Sequence, residues 1–340
     1  MTSLGLGLLL LLVLVLPLSV RWAEEELELF LLLGGIAAVS LSKLWSLELL
    51  GKALLEPWTL SLGVLVAGLL FARWRQALVA ALLRLEARWG RRWLLFGLVV
   101  GLGLLSAVIT AIIAALALAE AVSALDLSRK TSVRLVVLAC FSIGLGSALS
   151  PLGGPLAAIA TANLHGAPVN AGFFYLFQLL AVWVLPLILL CGALTFALDL
   201  ESHEGRLRED GTEGPRAIAV RALKIHLFVT GLILLGAGFK PELDLRLAGV
   251  SPAWLYWVNS VSAVLDNATL AAAEISTQWP RAALLHMLLG LLISGGMLIP
   301  GNIPNIISAN KLGLRPKEWA VFGLPLGIAM MALVFGLLQL

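Results

Sequence analysis

Two polar stretches interrupt otherwise apolar sequence late in this 340-residue chain. The first, SAVLDNATLAAAE (262–274), brings Asp266, Asn267 and Thr269 within four residues of one another. The second, SGGMLIPGNIPN (294–305), sets Gly295, Gly296 and Gly301 beside Asn302 and Asn305. Small oxygen ligands of this kind suit hard cations such as sodium. Asp266 supplies a charged oxygen, and Asn267, Thr269, Asn302 and Asn305 supply neutral ones. Glycine and proline at 295–296 and 301–303 unwind the helix and free carbonyls, Gly296 among them, as in transporters with broken helices. Sodium at Asp266, Asn267 and Asn302 is therefore the expected site.

Asp266 has a second use. Burial raises a carboxylate pKa and a bound cation lowers it, so one carboxylate can exchange a proton for a cation. Aspartate is also a favoured N-cap, and Asp266 can cap a helix beginning near Asn267; the two roles are compatible. Glu120 and Glu274 end apolar arms at matched positions and are expected at the interface near water, with proton relay as the other reading. His286 reads as a polar core histidine, with pH sensing as its alternative. Asn163 and Asn310 sit at matched helix ends, where asparagine often caps.

The elements that hold these residues must lie in a membrane. The chain is 60% hydrophobic and 13% charged, with a mean hydropathy of +1.01, whereas a soluble domain is about a quarter charged. Repeated apolar runs near 20 residues mean an all-α polytopic protein partnered by a lipid bilayer. The net charge of +3 does not point to nucleic acid, because the basic residues sit between the apolar runs. Cys140 and Cys191 lie inside apolar runs and read as core residues, without disulfide or metal spacing. No G-x-S-x-G, H-E-x-x-H or Walker motif is present, so neither an enzyme nor an ATP-driven pump is expected. No cofactor is expected beyond a transported sodium ion or proton.

In chain order, residues 4–20 read as a first span, since they lack the basic start and A-x-A site of a signal peptide. An acidic connection at 23–28 precedes spans at 29–45 and 58–74. Residues 73–93 carry six arginines with Trp74, Trp89 and Trp93 and read as an interfacial amphipathic helix or a basic connection. Residues 94–125 are too long for one ordinary span. They form either one tilted span or a re-entrant hairpin interrupted at Ser106 and Thr110. A basic connection at 126–134 leads into GLGSALSPLGGP (144–155), whose glycines and prolines must break the helix. A span follows at 173–198. The polar segment 199–216, with His203, reads as a solvated linker. Beyond it come a span at 218–239, a connection at 240–252, the two polar stretches, and a last span at 319–340.

The two halves resemble each other. SAVITAIIAALALAE (106–120) matches SAVLDNATLAAAE (262–274), and GSALSPLGGP (146–155) matches GGMLIPGNIP (295–304), aligning Pro151 with Pro300 and Pro155 with Pro304. ANLHGAP (162–168) then matches ANKLGLRP (309–316). Paired breaks in corresponding positions point to a transporter binding site. In the first half, Thr110, Ser147 and Ser150, with Ser106, form an uncharged version of the site. If 94–125 and 253–275 are hairpins, nearly all basic residues fall on one face, leaving Lys43, Lys52, Lys240, Arg246 and Arg281 for the other. That asymmetry favours hairpins and puts both termini outside. The expected organisation is eight spans plus two hairpins. It divides into N-terminal spans (1–57), a first repeat (58–198), a cytoplasmic linker (199–216) and an inverted second repeat (217–340).

At these motifs the sequence resembles the ion transporter superfamily, which includes divalent-anion/sodium symporters, arsenite permeases and NhaD-type sodium/proton antiporters. It is most similar to a bacterial branch of predicted cation transporters. The resemblance covers about residues 58–340. It implies hairpin tips at SAVITA (106–111) and SAVLDNAT (262–269), unwound loops at SPLGGP (150–155) and PGNIPN (300–305), and a homodimer in a bacterial inner membrane. The symporters carry Ser-Asn-Thr at both tips, whereas here the second tip reads Asp266-Asn267-Ala268-Thr269 and the first has Thr110. The expectation is a secondary transporter exchanging a monovalent cation, sodium, for protons. Sodium-coupled symport of a small anion or dicarboxylate is the alternative, and a scaffold or intramembrane enzyme the third class.

Overall fold

A computed structural model describes residues 2–125, 127–200, 214–247 and 251–340. The described residues form helices without strands. The expected linker falls largely at 201–213, outside the described residues, and His203 with it.

The N-terminal part holds α1 (Thr2–Ser19), a short α2 (Arg21–Glu25), α3 (Leu27–Ser42) and α4 (Leu47–Leu55). Lys43, in the left-handed region at φ 55°, ends α3. Ser46 then caps α4 by accepting the Leu49 N–H at 3.1 Å. The acidic connection expected at 23–28 is thus mostly helical. Next come α5 (Pro57–Trp89), α6 (Arg91–Ile109), α7 (Ala111–Ala124), α8 (Arg129–Ser147), α9 (Pro155–Asn163) and α10 (Tyr175–Leu194). The rest comprises α11 (Pro215–Leu247), α12 (Pro252–Val258), α13 (Asn267–Glu274), α14 (Arg281–Gly295), α15 (Ile303–Leu312) and α16 (Pro316–Leu338).

Six stretches are long and apolar enough to cross a membrane: Leu47–Leu70, Arg91–Ile109, Arg129–Ser147, Tyr175–Ala197, Arg216–Glu242 and Pro316–Leu338. Shorter apolar helices add Leu4–Pro17, Leu27–Ser42, Ala111–Ala124 and Arg281–Gly295. The chain is an all-helical membrane protein.

Three boundaries differ from expectation, each because a helix outlasts its apolar run. The arginine-rich stretch at 73–93 is no separate helix but mainly the end of α5, which runs 33 residues to Gly90. The connection expected at 126–134 is helical from Arg129, because Ser128 caps α8 through the Thr131 N–H. The connection expected at 240–252 is helical through Leu247. Backbone hydrogen bonds propagate at little cost once a helix has started, so polar residues alone do not end one. At 33 residues each, α5 and α11 are about 50 Å long and exceed the ~30 Å hydrocarbon core.

Inside this shell α8 is buried along nearly its whole length, whereas only a minority of α6 and α16 is fully buried. Arg129, at the start of α8, holds Glu318 at the start of α16 by paired bonds of 2.8 and 2.7 Å. In lipid the attraction between helices is mostly close packing, so small residues gather where they touch. Gly35 of α3 and Gly231 of α11 make such a contact. A Cβ on Gly35 would lie 2.6 Å from the Gly231 carbonyl oxygen, and one on Gly231 2.6 Å from the Leu32 nitrogen. Gly51 of α4, by contrast, faces open space.

Gly231→Ala should therefore lower stability by about 1–3 kcal/mol through overpacking. Gly51→Ala should be neutral or gain up to about 1 kcal/mol. Thermal unfolding of the purified protein in detergent compares the two.

Candidate functional site

Four short segments leave helical geometry inside the protein. The first lies between α6 and α7. Thr110 sits at φ 75°, a strained setting for a branched residue, and its Oγ1 caps α7 by accepting the Ile113 N–H at 3.4 Å. The second lies between α8 and α9. The two are tied together: the Ala111 N–H donates to the Gly153 carbonyl at 2.7 Å, and the Ser150 hydroxyl donates to the Ala107 carbonyl.

In the second half, α12 passes through a 3-10 turn (Asn259–Ala263) to Asp266, the N-cap of α13. Asp266 Oδ2 accepts the Ala268 and Thr269 N–H groups, both at 3.2 Å, so the capping role is present. Its Oδ1 is buried and has no hydrogen-bond partner, and the residue as a whole is 8% exposed. The fourth segment separates α14 from α15. Asn305 braces it, its Nδ2 donating to the Gly295 and Leu298 carbonyls, each at 2.8 Å. The Gly296 carbonyl accepts from Trp319 Nε1 at 3.1 Å.

All four segments meet. A cavity of about 10 Å³ is lined by Ala111, Gly144, Ser147, Ala148, Gly154, Pro155, Leu156, Asn267, Leu292, Asn302 and Ile303. That is close to the room one water needs. Ala111, Pro155, Asn267 and Ile303 are the first residues of α7, α9, α13 and α15, so four helix starts face one small space.

The polar candidates divide accordingly. Asn267, Asn302 and Ser147 line the cavity. Asp266 and Thr110 each stand one residue before a lining residue. Asn305, Gly296 and Ser150 hold the unwound segments in shape. Thr269 caps with Asp266 and packs its methyl against Gly236 of α11. Ser106 spends its hydroxyl on the Gly103 and Ile143 carbonyls at 2.7 and 3.0 Å. Sequence reasoning missed Ala111, Gly144 and Gly154. They contribute backbone or empty space, and the only signal for them was the glycine-rich pattern itself.

The family model for DUF1646, described as a protein of unknown function, matches residues 4–340. The chain belongs to the DUF1646 family. A search of the curated proteins returns no match.

Away from the cavity, the DUF1646 chain buries charge that sequence reasoning put at the interface. Glu120 and Glu274 are each 7% exposed. Glu120 pairs with Lys311 of α15. Asn163 and Asn310 do not cap their own helices. Asn163 Nδ2 donates to the Ile275 carbonyl at 3.2 Å, and Asn310 Nδ2 to Glu28 Oε1 at 2.8 Å. Exposed Asn163 and half-buried Asn310 thus tie their helices to other elements, supplying donors to the oxygens of Ile275 and Glu28. His286 is half-buried, its Nδ1 lying 2.7 Å from the Ala282 carbonyl of its own helix; it does not line the cavity. Cys140 and Cys191 are buried free thiols.

Two stability tests follow for the DUF1646 chain. Lys311→Met should cost about 3–5 kcal/mol by leaving Glu120 uncompensated, and adding Glu120→Gln should recover much of it. Asn305→Asp should cost about 2–4 kcal/mol, because two carbonyls lose their donor and face a carboxylate. Thermal unfolding in detergent reads both.

Proposed function

We propose that this protein is a secondary active transporter that binds a monovalent cation, sodium, beside Asp266 and exchanges it for protons by alternating access. The observation that carries this reading is the meeting of four helix starts and two broken helices at one water-sized cavity. Nothing about stability calls for it. Unwound backbone at membrane depth is tolerated where protein or a polar cavity surrounds it, and a carboxylate there marks an ion pathway by default. Asn267, Asn302 and Ser147 provide neutral oxygens, and the unpartnered Asp266 Oδ1 provides charge next to them.

The same reading organises the fold as inverted repeats. α5–α10 and α11–α16 follow one succession: a 33-residue helix begun by proline, two arms meeting at a turn, a broken helix, and a long final helix. The turns at Thr110 and Asp266 are the tips of two re-entrant hairpins, giving eight spans plus two hairpins, as in the ion transporter superfamily. By the same resemblance the protein works as a homodimer in a bacterial inner membrane. The hairpin-bearing parts move against the remaining spans.

One observation favours a second reading. Helix N-termini carry the positive end of the helix dipole and attract anions, and four helices start at this cavity. Sodium-coupled symport of a small anion or dicarboxylate uses that field directly, with Asp266 holding the sodium.

Proteoliposomes containing a pH-sensitive dye separate the two. Under an imposed proton gradient, external sodium should collapse the gradient with wild-type protein, and Asp266→Asn should slow the collapse at least about tenfold. A gradient that no cation collapses rules out exchange. Sodium-dependent uptake of labelled anions is then the expected result.

A further inference from the structure

Glu120 and Glu274 occupy matched positions in the two halves, yet their surroundings differ. α7, which ends just past Glu120, packs on α15, and α13, which Glu274 ends, packs on α9. Lys311 follows Asn310 on α15 and pairs with Glu120. One residue after the matching Asn163 stands Leu164. The lysine that neutralises Glu120 therefore has no counterpart beside Glu274.

What Glu274 has instead is neutral. The Asn259 side chain lies beside it, held in place by Nδ2 donating to the Met287 carbonyl at 3.1 Å. Glu274 Oε2 and Asn259 Oδ1 are both buried without a hydrogen-bond partner. Charged groups on the neighbouring elements are occupied or turned away. α9 and the 3-10 turn carry none. On α14, Arg281 is exposed and His286 faces Ala282. On α11, Lys224 lies near Glu26 and Glu28, His226 near Ser61 and Trp58, Arg216 is exposed, and Arg221, Lys240 and Glu242 have partners of their own. Among the described residues none pairs with Glu274. A buried carboxylate without a cation is costly to keep charged, so a proton is its natural occupant.

We propose that Glu274, and not Glu120, carries the proton exchanged for the cation, so that proton and cation occupy opposite ends of α13. Asp266 caps the start of this helix and Glu274 closes it, eight residues on, about 12 Å away at 1.5 Å per residue. The exchange is then a two-site device rather than competition for one carboxylate. Motion of α13 that exposes one end to water changes the occupancy of both. Trp279 Nε1, bonded to the Glu274 carbonyl at 3.0 Å, fixes this end to the turn that carries exposed Gln278, where a proton can enter. Glu120, paired with Lys311, joins α7 to α15 as a structural link.

This inference rests on the exchange reading, and the two fail separately in one experiment. Purified protein in weakly buffered detergent solution receives sodium chloride. Radioactive sodium binding and the absorbance of a pH indicator are recorded together. Wild type should bind sodium and release protons. Glu274→Gln should bind sodium with its affinity within a few-fold of wild type and release none. Glu274→Asp, which keeps the carboxyl, should restore release at a shifted pH midpoint, and it serves as the test if the glutamine variant does not fold. Sodium binding with full proton release from Glu274→Gln overturns this inference and leaves exchange at Asp266 standing. Wild type that releases no proton on sodium addition overturns both.

Discussion

Two helices stop inside an apolar protein, and every backbone group they free must find a partner there. Water satisfies such groups at a surface; lipid does not. The structure meets the demand from both sides of each break. Asn305 gives its two amide hydrogens to carbonyls at the end of α14 and just beyond it. Trp319 of α16 covers the Gly296 carbonyl. Across the first break, the start of α7 donates to Gly153, and Ser150 reaches Ala107. Because each break is satisfied by residues from elsewhere in the chain, the helices around it cannot be arranged freely. Around the breaks, α7 packs on α15 and α13 on α9.

The same requirement leaves unmet polarity in both halves, at Ser132 and Thr161 in the first and at Asn259, Asp266, Glu274 and Asn305 in the second, but among the described residues only the second half leaves carboxylate oxygens so. The unpartnered oxygens of Asp266 and Asn305 belong to the second-half tip and break. The corresponding positions of the first half carry Thr110 and Ser150, whose hydroxyls are used locally. Charge shows a parallel asymmetry, with Lys311 answering Glu120 and only an amide beside Glu274. The two halves thus differ in which one holds buried carboxylate oxygens without a partner.

Much of this was legible in residue types. Glycine and proline clustered in matched positions located both breaks, because several helix-weakening residues together stop a helix where a single one, such as Pro186 or Pro325, does not. Asp266 stood out because a carboxylate in an apolar run is costly. Helix ends were less legible. α5, α8 and α11 each run through polar residues, and α11 even through Pro241, since a helix once started propagates at little cost. Glu120 and Lys311 misled for a related reason. Each alone looks too polar to bury, and only their pairing across 191 positions makes burial tolerable.

By itself the sequence determined that the chain is helical and membrane-embedded, where its helices break, and that its second half holds a carboxylate, Asp266, at a helix start. Those features depend on local chemistry: hydropathy, backbone freedom and the cost of an isolated charge. Tertiary structure alone decided that four helix starts share one cavity, that Asn302 and Asn267 line it while Asp266 stands behind, and that Lys311 serves Glu120 and leaves Glu274 without a cation. Each of these is a relation between residues far apart in the chain, set by how packed helices satisfy one another's exposed backbone.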